Sequence, residues 1–261
     1  MMATEYILVT KTNAITTITL NRPDKRNAMH GPLISELSTA LQNAAEDETR
    51  LLIINGNGDN FCAGGDIAWM QKMAESSKKE NEADAQFLAQ LLYQLYCFPK
   101  PTIVLAHGST LGGGLGLLAA ADIAIAAKSA IFGLPEVKIG ITPSMISPYL
   151  IAAIGERNAH YYFLTGERFG ADVAYRIGLI HQVAENETLL SEGMTLAQTV
   201  LENSPNALRA AKHLIRFVNH EKISAQLVQR TAQHLAELRV TEEAQEGLKA
   251  FLEKRKPRWY D

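Results

Sequence analysis

The sequence predicts one α/β unit, and three observations support this prediction. Residues 51–54 and 102–106 are short, continuously apolar runs of the kind found in strands buried on both faces of a sheet. Stretches with apolar residues at helical spacing separate such runs, as expected for crossovers between parallel strands. From Glu185 onward helix follows helix without a proline- or glycine-rich linker, so this part is predicted to pack on the core or on a neighbouring subunit.

The composition excludes several classes of protein. The 261 residues are 47% hydrophobic and 20% charged, which excludes a disordered chain, a collagen and a coiled coil. A net charge of −3 offers no general basic field for nucleic acid, although it leaves a local basic patch open. Cys62 and Cys97 form neither a Cys-x-x-Cys pair nor a Cys/His cluster, so we expect no disulfide framework and no metal site. A reducing, cytoplasmic compartment is the simplest expectation.

Targeting and membrane segments are not expected. Residues 1–13 lack a basic start followed by a long apolar run, which argues against a secretory signal. The most apolar stretch, residues 115–127, is interrupted by Asp122 and is too short to span a bilayer. We therefore expect no membrane association.

The N-terminal part predicts a hairpin followed by a helix and a strand. Residues 6–20 alternate between apolar and polar side chains, which indicates two short strands joined near Asn13. Residues 32–46 carry an apolar helical stripe, and the buried strand at 51–54 follows. Residues 55–60 form a polar loop by composition.

The middle of the chain continues the alternation. A helix is predicted over 82–96 and ends before Pro99, and the strand at 102–106 comes next. The remaining predictions for this part are a loop at 109–112, a helix beginning near Gly113, and strands at 122–126 and 130–133.

The C-terminal part shows three apolar helical stripes and no clear repeat. We therefore divide the chain into a core at 1–200 and a C-terminal helical region at 201–261. The stripes comprise Leu208, Ala211, Leu214, Ile215 and Val218, then Ile223, Leu227, Val228 and Leu235, then Ala244, Leu248, Phe251 and Leu252.

Two glycine-rich segments, 61–67 and 111–116, each follow a predicted strand. Glycine lets the backbone approach a ligand closely, and a helix N-terminus offers free N–H groups. Two such loops on neighbouring strands would aim two N–H groups at one oxygen, as an oxyanion hole does. Simple tight turns are the alternative for either loop alone. Nucleotide loops are disfavoured, because the Walker pattern is absent and Leu117 breaks the G-x-G-x-x-G pattern.

Ordered motifs along nearly the whole chain resemble the crotonase (enoyl-CoA hydratase/isomerase) superfamily. Each motif is weak alone, but their order and spacing together are specific. The resemblance implies a ClpP/crotonase-like spiral of ββα units that ends in a C-terminal helical trimerisation region. The motifs are Asn21-Arg22-Pro23 with Asn27-Ala28, Phe61-Cys62-Ala63-Gly64-Gly65-Asp66, Gly112-Gly113-Gly114, Phe132-Gly133-Leu134-Pro135-Glu136, Gly140-Ile141-Thr142-Pro143, and Phe251-Leu252-Glu253-Lys254-Arg255-Lys256-Pro257.

The resemblance also implies an acyl-CoA site in a homotrimer or a dimer of trimers. The N–H groups of Gly65 and Gly113 would hold the thioester oxygen of an enolate, and Glu136 would move a proton at the α-carbon. Without the resemblance, a glutamate after a proline is more often a helix-start carboxylate. Coenzyme A is part of the substrate, so no separate cofactor is implied. The implied coenzyme A contacts are Lys25, Ala28, Ala63, Asp66, Ile67 and Ala68, with Phe251 and Lys254 reaching over from a neighbouring subunit.

Position 116 departs from the family pattern. Hydratases of the family carry a second glutamate there, which holds the attacking water, whereas this chain has Gly116. Single-glutamate members of the family include double-bond isomerases, in which one carboxylate moves a proton between two carbons. The two-glutamate site therefore cannot be carried over intact.

A closer resemblance, to bacterial methylglutaconyl-CoA hydratases and their isoprenoid-glutaconyl relatives, concerns the acyl group. It rests on segments 66–70, 80–84, 146–149, 155–157 and 162–169. Those enzymes act on acyl groups with a remote carboxylate, in leucine or acyclic-terpene breakdown. We therefore predict a hydratase for 3-methylglutaconyl-CoA or a related glutaconyl-CoA. The alternatives are a 3,2-enoyl-CoA isomerase and a non-catalytic acyl-CoA-binding protein, while RNA binding gains nothing from the net charge.

Other conspicuous side chains are predicted to be structural. His107 ends a strand, Cys62 is a small core residue, and Asp66 is a loop or helix cap. A place in the core is favoured over an acyl pocket for Trp69, Met70, Tyr93 and Tyr149.

Overall fold

The structure is a computed structural model that describes residues 6–219 and 221–260. The strands within these residues are β1 (Ile7–Thr12), β2 (Ile15–Leu20), β3 (Leu51–Gly56), β4 (Thr102–Ala106), β5 (Ser109–Leu111), β6 (Ile123–Ala127), β7 (Ile131–Gly133), β8 (Arg168–Gly170) and β9 (Gln182–Ala184). The α-helices within them are α1 (Gly31–Glu46), α2 (Ile67–Ala74), α3 (Lys78–Tyr96), α4 (Gly113–Ala120), α5 (Ser147–Thr165), α6 (Ala171–Arg176), α7 (Leu189–Leu201), α8 (Pro205–Asn219), α9 (Ala225–Arg239) and α10 (Glu242–Leu252).

A sheet of six strands, in the order β1-β2-β3-β4-β6-β9, forms the centre of the fold. The predicted hairpin is confirmed: β1 and β2 pair antiparallel, with Ile7 opposite Leu20. All other neighbours in this sheet are parallel. A smaller sheet, in the order β5-β7-β8, combines one parallel and one antiparallel pair. Parallel neighbours require crossover connections, which the helices provide.

Both faces of the larger sheet are buried at its central strands, which explains the continuous apolar runs in β3, β4 and β6. Side chains of successive residues point to opposite faces of a strand. Leu52 and Ile54 of β3 face the main core, which α1, α3 and α4 complete. Leu51 and Ile53 face a smaller core that α7 closes. The predicted buried strand is thus confirmed, and it extends two residues further, to Gly56.

Several predicted elements differ in the structure. α3 begins at Lys78 instead of residue 82, because Ser77 caps it: the Ser77 hydroxyl accepts from the Glu80 N–H, and the Glu80 carboxylate accepts from the Ser77 N–H. Residues 109–111 form β5 instead of a loop, since they pair with the distant strand β7. Local patterns also failed to predict α2, α5, α6, β8 and β9.

The C-terminal helices contact the core through polar anchors. Arg50 donates hydrogen bonds to the carbonyls of Trp259 and Leu201, both at 2.8 Å. Lys212 of α8 pairs with Asp122 at 2.6 Å. Otherwise α8 buries none of its residues in this chain. The helices of the described residues are all too short or too polar to cross a membrane.

Candidate active site

The first glycine-rich segment is held by a one-residue parallel bridge to Met29. The Met29 N–H donates to the Gly64 carbonyl at 2.7 Å, and the Asp66 N–H donates to the Met29 carbonyl at 2.8 Å. Gly65 lies between these two bonds, so its own N–H points away from the Met29 chain. No acceptor within residues 6–219 and 221–260 takes this N–H. Gly64 enters the turn with a φ of 97°, a conformation that favours glycine.

The second free donor is the N–H of Gly113, the first residue of α4. The first N–H groups of a helix lack an intrahelical acceptor, and the rest of the described chain supplies none for this one. Gly112 precedes the helix with a φ of 46°, and its N–H donates to the Gly133 carbonyl at 3.2 Å. The dipole of α4 adds positive potential at this end.

The two glycine-rich segments lie side by side. The Leu111 N–H donates to the Cys62 carbonyl at 2.9 Å, and Cys62 also pairs with Thr110 in an isolated bridge. A β-carbon added to Gly112 would lie only 3.7 Å from the Cα of Gly64. The fold therefore brings the residues next to both free donors into contact.

Glu136 lies against the second segment, in a 3-10 turn (Pro135–Ile139) that follows β7. A β-carbon added to Gly112 would lie 2.9 Å from Oε1 of Glu136. Oε2 of Glu136 is buried and has no hydrogen-bond partner within the described residues. Burial raises the pKa of this carboxyl, and a bond to its own backbone offsets only part of the effect. Such a group can hold and release a proton nearer to neutral pH than an exposed glutamate can.

Position 116 is enclosed by apolar side chains. Gly116 lies in the first turns of α4 and is buried. A β-carbon added there would lie 2.4 Å from Cγ2 of Ile146 and 3.2 Å from Cδ1 of Leu92. The volume that a second glutamate would need is therefore filled, which explains physically why this position holds glycine.

Two methionines flank the two free donors. A β-carbon added to Gly65 would lie 3.2 Å from Sδ of Met70, and one added to Gly113 would lie 2.8 Å from Sδ of Met29. Met29 is buried, whereas Met70 is 37% exposed. Met70 thus borders the site instead of filling the core, and no local pattern in the sequence singles out Met29.

The predicted coenzyme A contacts fall into two groups. Ala63, Asp66, Ile67 and Ala68 run along the first glycine-rich segment into α2. Lys25 and Ala28 lie on the turn beside it, where the Ala63 N–H donates to the Arg26 carbonyl at 3.0 Å. Phe251 and Lys254 lie at the end of α10, and within residues 6–219 and 221–260 no hydrogen bond or ion pair joins them to the glycine-rich segments. Their role stays a prediction.

The other side chains weighed from the sequence have definite places. Asp66 caps α2, because its Oδ1 accepts from the Trp69 N–H at 3.0 Å, as predicted. His107 bonds the Gly58 carbonyl through Nε2 at 2.8 Å, and Cys62 is fully buried, which raises the pKa of its thiol to about 12. Among the described residues no three His, Cys, Asp or Glu side chains are grouped so as to hold a metal ion.

The chain matches one family of known proteins. The family model for enoyl-CoA hydratase/isomerase matches residues 10–261. The chain is 34% identical to the 2,3-dehydroadipyl-CoA hydratase of Escherichia coli, over 96% of this chain and 97% of that protein. It is 35% identical to the crotonyl-CoA hydratase of Syntrophomonas wolfei, over 98% of each chain. A crystal structure of an enoyl-CoA hydratase from Shewanella pealeana has a TM-score of 0.95 at 40% identity and covers 98% of this chain and 97% of that one.

Proposed function

This chain belongs to the enoyl-CoA hydratase/isomerase family and has the crotonase fold, and we propose that it adds water to the double bond of an α,β-unsaturated acyl-CoA. One observation carries the proposal. Two free backbone donors, on Gly65 and Gly113, lie in adjoining loops beside Glu136, whose buried Oε2 has no partner in the described chain. Backbone donors for an oxyanion and a carboxyl of raised pKa are what addition through an enolate requires.

In the proposed reaction the water oxygen bonds to the β-carbon. The electrons of the double bond move toward the thioester, whose oxygen becomes negative. The N–H groups of Gly65 and Gly113 bind this oxygen more strongly as its charge grows, so they favour the transition state over the substrate. Glu136 accepts a proton from the water and returns it to the α-carbon. One water is consumed, and the carboxylate is restored.

A single carboxylate is proposed to carry both proton transfers. The space at Gly116 is closed by Ile146 and Leu92, so a second carboxylate cannot stand at that position without rearrangement. The same observation favours the second candidate function, a 3,2-enoyl-CoA isomerase, in which Glu136 would move a proton between two carbons of one acyl chain. The position of Glu136 against the segment that carries the Gly113 donor argues against a non-catalytic acyl-CoA-binding protein.

For the acyl group we propose 3-methylglutaconyl-CoA or a related glutaconyl-CoA. The closer resemblance of segments such as 66–70 and 146–149 supports this choice. The relative in Escherichia coli adds support, because its name specifies a dehydroadipyl group, an acyl chain with a second carboxyl group. The apolar wall at position 116 offers no polar group to hold the attacking water. A remote carboxylate on the substrate would bring such a group into the site.

The test is incubation of the purified protein with 3-methylglutaconyl-CoA, crotonyl-CoA and a 3-enoyl-CoA in ¹⁸O-water. We expect a product heavier by one labelled water, formed fastest from 3-methylglutaconyl-CoA, with mass spectrometry as the readout. Rearrangement of the 3-enoyl-CoA without uptake of ¹⁸O would establish the isomerase instead. Inertness toward all three thioesters would contradict both candidate functions.

A further inference from the structure

Arg22 lies behind the first glycine-rich segment and contacts both chains of the bridge that orients Gly65. Its Nη1 donates to the Ala28 carbonyl at 2.9 Å, and its Nη2 donates to Oδ2 of Asp66 at 2.9 Å. Ala28 directly precedes Met29, and Asp66 directly follows Gly65. One rigid, planar guanidinium therefore links the backbone of one strand of the bridge to a side chain of the other, next to the pairing that turns the Gly65 N–H outward.

Asp66 links this ion pair to α2. Its other oxygen, Oδ1, accepts from the Trp69 N–H and caps the helix. The side chains of Arg22 and Asp66 are only 15% and 11% exposed, so water screens their interaction little. Burial alone would raise the pKa of Asp66, but the bonds from Trp69 and Arg22 together lower it. The carboxylate is therefore charged at neutral pH.

Asn27, which is fully buried, holds Arg22 from the other side. The backbone N–H of Arg22 donates to Oδ1 of Asn27 at 2.7 Å. Nδ2 of Asn27 donates to the carbonyls of Asn57 and Asn60 at 3.0 and 2.7 Å. Its φ of 54° is a left-handed conformation that few residues other than glycine adopt. Both the oxygen and the nitrogen of the Asn27 side-chain amide are therefore hydrogen-bonded. These bonds fix the Arg22 backbone relative to the loop before the first glycine-rich segment.

The two donors of the site are supported in different ways. The Gly113 N–H is oriented by α4, since a helix sets the direction of its first N–H groups. Gly65 has no helix behind its N–H and follows Gly64, which lacks a side chain to limit its backbone. Among the described residues, the peptide between these glycines is held mainly by the bridge to Met29, with a weaker bond from the Cys62 thiol to the Gly64 carbonyl at 4.0 Å. Arg22 contacts the residue before Met29 and the residue after Gly65.

We propose that Arg22 is a positioning residue that fixes the Gly65 N–H at the thioester oxygen. The inference rests on the proposed function, because Gly65 must bind an oxyanion for this role to exist. Removing one oxyanion donor typically lowers kcat by ~10²–10³-fold. Loosening a donor by a fraction of an ångström is expected to cost less, about 10–10²-fold.

The test compares three variants of the full chain. Arg22→Met removes the charge but keeps an apolar stem. Asp66→Asn keeps an oxygen that can cap α2, but it puts an N–H donor in place of the oxygen that accepts from Arg22, so it removes both the ion pair and that hydrogen bond. Arg22→Lys restores a charge that cannot span both Asp66 and Ala28. We expect kcat to fall by about 10–10²-fold in Arg22→Met and Asp66→Asn, and by less in Arg22→Lys. In each variant kcat should change more than KM does.

A spectroscopic readout separates positioning from mere loss of stability. Butyryl-CoA labelled with ¹³C at its carbonyl is saturated and cannot be hydrated, and its carbonyl stretch moves to lower frequency when the oxygen accepts hydrogen bonds. We expect this shift on binding to the wild-type protein. In Arg22→Met the band of the bound thioester should return part of the way to its frequency in water.

Lys212→Met is the matched control. Lys212 of α8 and Asp122, which directly precedes β6 in the core, form a similarly enclosed ion pair, with side chains 11% and 30% exposed. We expect this control to lower Tm while leaving kcat and the carbonyl band as in the wild type. Wild-type kcat and carbonyl band in a folded Arg22→Met protein would overturn the inference, as would an equal loss of kcat in Lys212→Met. A wild-type protein that neither turns over enoyl-CoA nor shifts the band would overturn the proposed function itself, and this inference with it.

Discussion

At the scale of single residues, Glu136 combines burial with an oxygen, Oε2, to which no described residue donates a hydrogen bond. A buried polar atom without a partner costs free energy in the folded state, and such atoms in native structures call for an explanation. The proposed reaction supplies one, since water and the α-carbon of the substrate would lie against this carboxyl group. The resemblance predicted this residue, whereas its local pattern, a glutamate after a proline, did not.

The first prediction concerns turnover in Glu136→Gln. Glutamine keeps the shape of the side chain but cannot take a proton from water, so we expect kcat to fall by ~10²–10⁴-fold. KM should change little, because the change removes proton transfer and not binding. Steady-state kinetics with the preferred enoyl-CoA provides the measurement. Turnover close to that of the wild type would remove Glu136 from the mechanism.

The second prediction concerns stability and pH. Burial raises the folded-state pKa of Glu136 above the ordinary glutamate value of 4.5, so the folded state binds more protons than the unfolded state in the window just above that value. The contribution of this group to stability therefore falls as pH rises through the window. Glu136→Gln removes the cost of the buried charge. We expect this variant to be at least as stable as the wild type at neutral pH, and its advantage should shrink as pH falls toward 4.5.

Thermal unfolding of both proteins across that pH range measures the effect. Glu136→Gln destabilised equally at every pH would show that the ionisation of Glu136 does not oppose folding.

At the scale of elements, Gly116 lets α4 pack closely against its neighbours. Leu115, Leu117 and Leu118 fill the space between α3, α5 and the sheet, while Gly116 lets Ile146 and Leu92 approach the helix backbone. Glycine weakens a helix interior by about 0.5–1 kcal/mol relative to alanine, so its presence here reflects close packing. The same packing closes the position of the second carboxylate.

The third prediction tests this contact. A β-carbon at position 116 would lie 2.4 Å from Cγ2 of Ile146, so we expect Gly116→Ala to destabilise the protein by about 1–3 kcal/mol through overpacking. Ile146→Ala removes the conflicting methyl group. The double variant should therefore be less destabilised than the sum of the two single changes, a coupling measurable by chemical denaturation.

Gly170→Ala is the control for this cycle. Gly170 has a φ of −90°, stands at the N-cap of α6 and has no atom within 4 Å of an added β-carbon, so its substitution should cost at most about 1 kcal/mol, through the cap and not through overpacking. Strict additivity of Gly116→Ala and Ile146→Ala would show that Ile146 does not enclose position 116.

How far sequence predicted the elements depended on where their partners lie. The strand at 102–106 was predicted with its observed bounds, because burial on both faces leaves a continuous apolar run. β5 was missed, since its three residues are stabilised by pairing with β7 and not by a local pattern. In the site, too, features that depend on distant contacts are not predicted from the local sequence. Gly65, Gly113 and Glu136 were named from motifs, but the closure of Gly116 by Ile146 and the reach of Arg22 to Asp66 are tertiary contacts.

At the scale of the whole molecule, the C-terminal helical region presents many large apolar side chains to solvent in the single chain. Soluble monomers rarely expose large contiguous apolar patches, and where such patches occur they mark interaction sites. Polar anchors such as Arg50 and Lys212 fix the region to the core without covering its apolar side chains. The exposed members between residues 205 and 252 are Ile215, Ile223, Val228, Leu235, Val240, Leu248, Phe251 and Leu252.

The fourth prediction concerns assembly: this surface indicates association of several copies through α8–α10, and the family resemblance implies that the assembly is a homotrimer or a dimer of trimers. Closed cyclic assembly buries the same apolar surface on every subunit and leaves none to recruit further copies. We expect light scattering after gel filtration to give three or six times the mass of one chain. Val228→Glu combined with Leu235→Glu, two positions seven residues apart on α9, should reduce that mass to one chain.

Leu8→Glu is the control, because Leu8 is an exposed apolar residue on the edge strand β1, outside the C-terminal region. It should leave the mass unchanged. If Phe251 and Lys254 complete a neighbour's site, dissociation of the assembly must also weaken coenzyme A binding while Gly65, Gly113 and Glu136 stay in place. A dissociated variant that binds the acyl-CoA as tightly as the wild type would separate assembly from binding, and a wild-type mass of one chain would contradict the prediction outright.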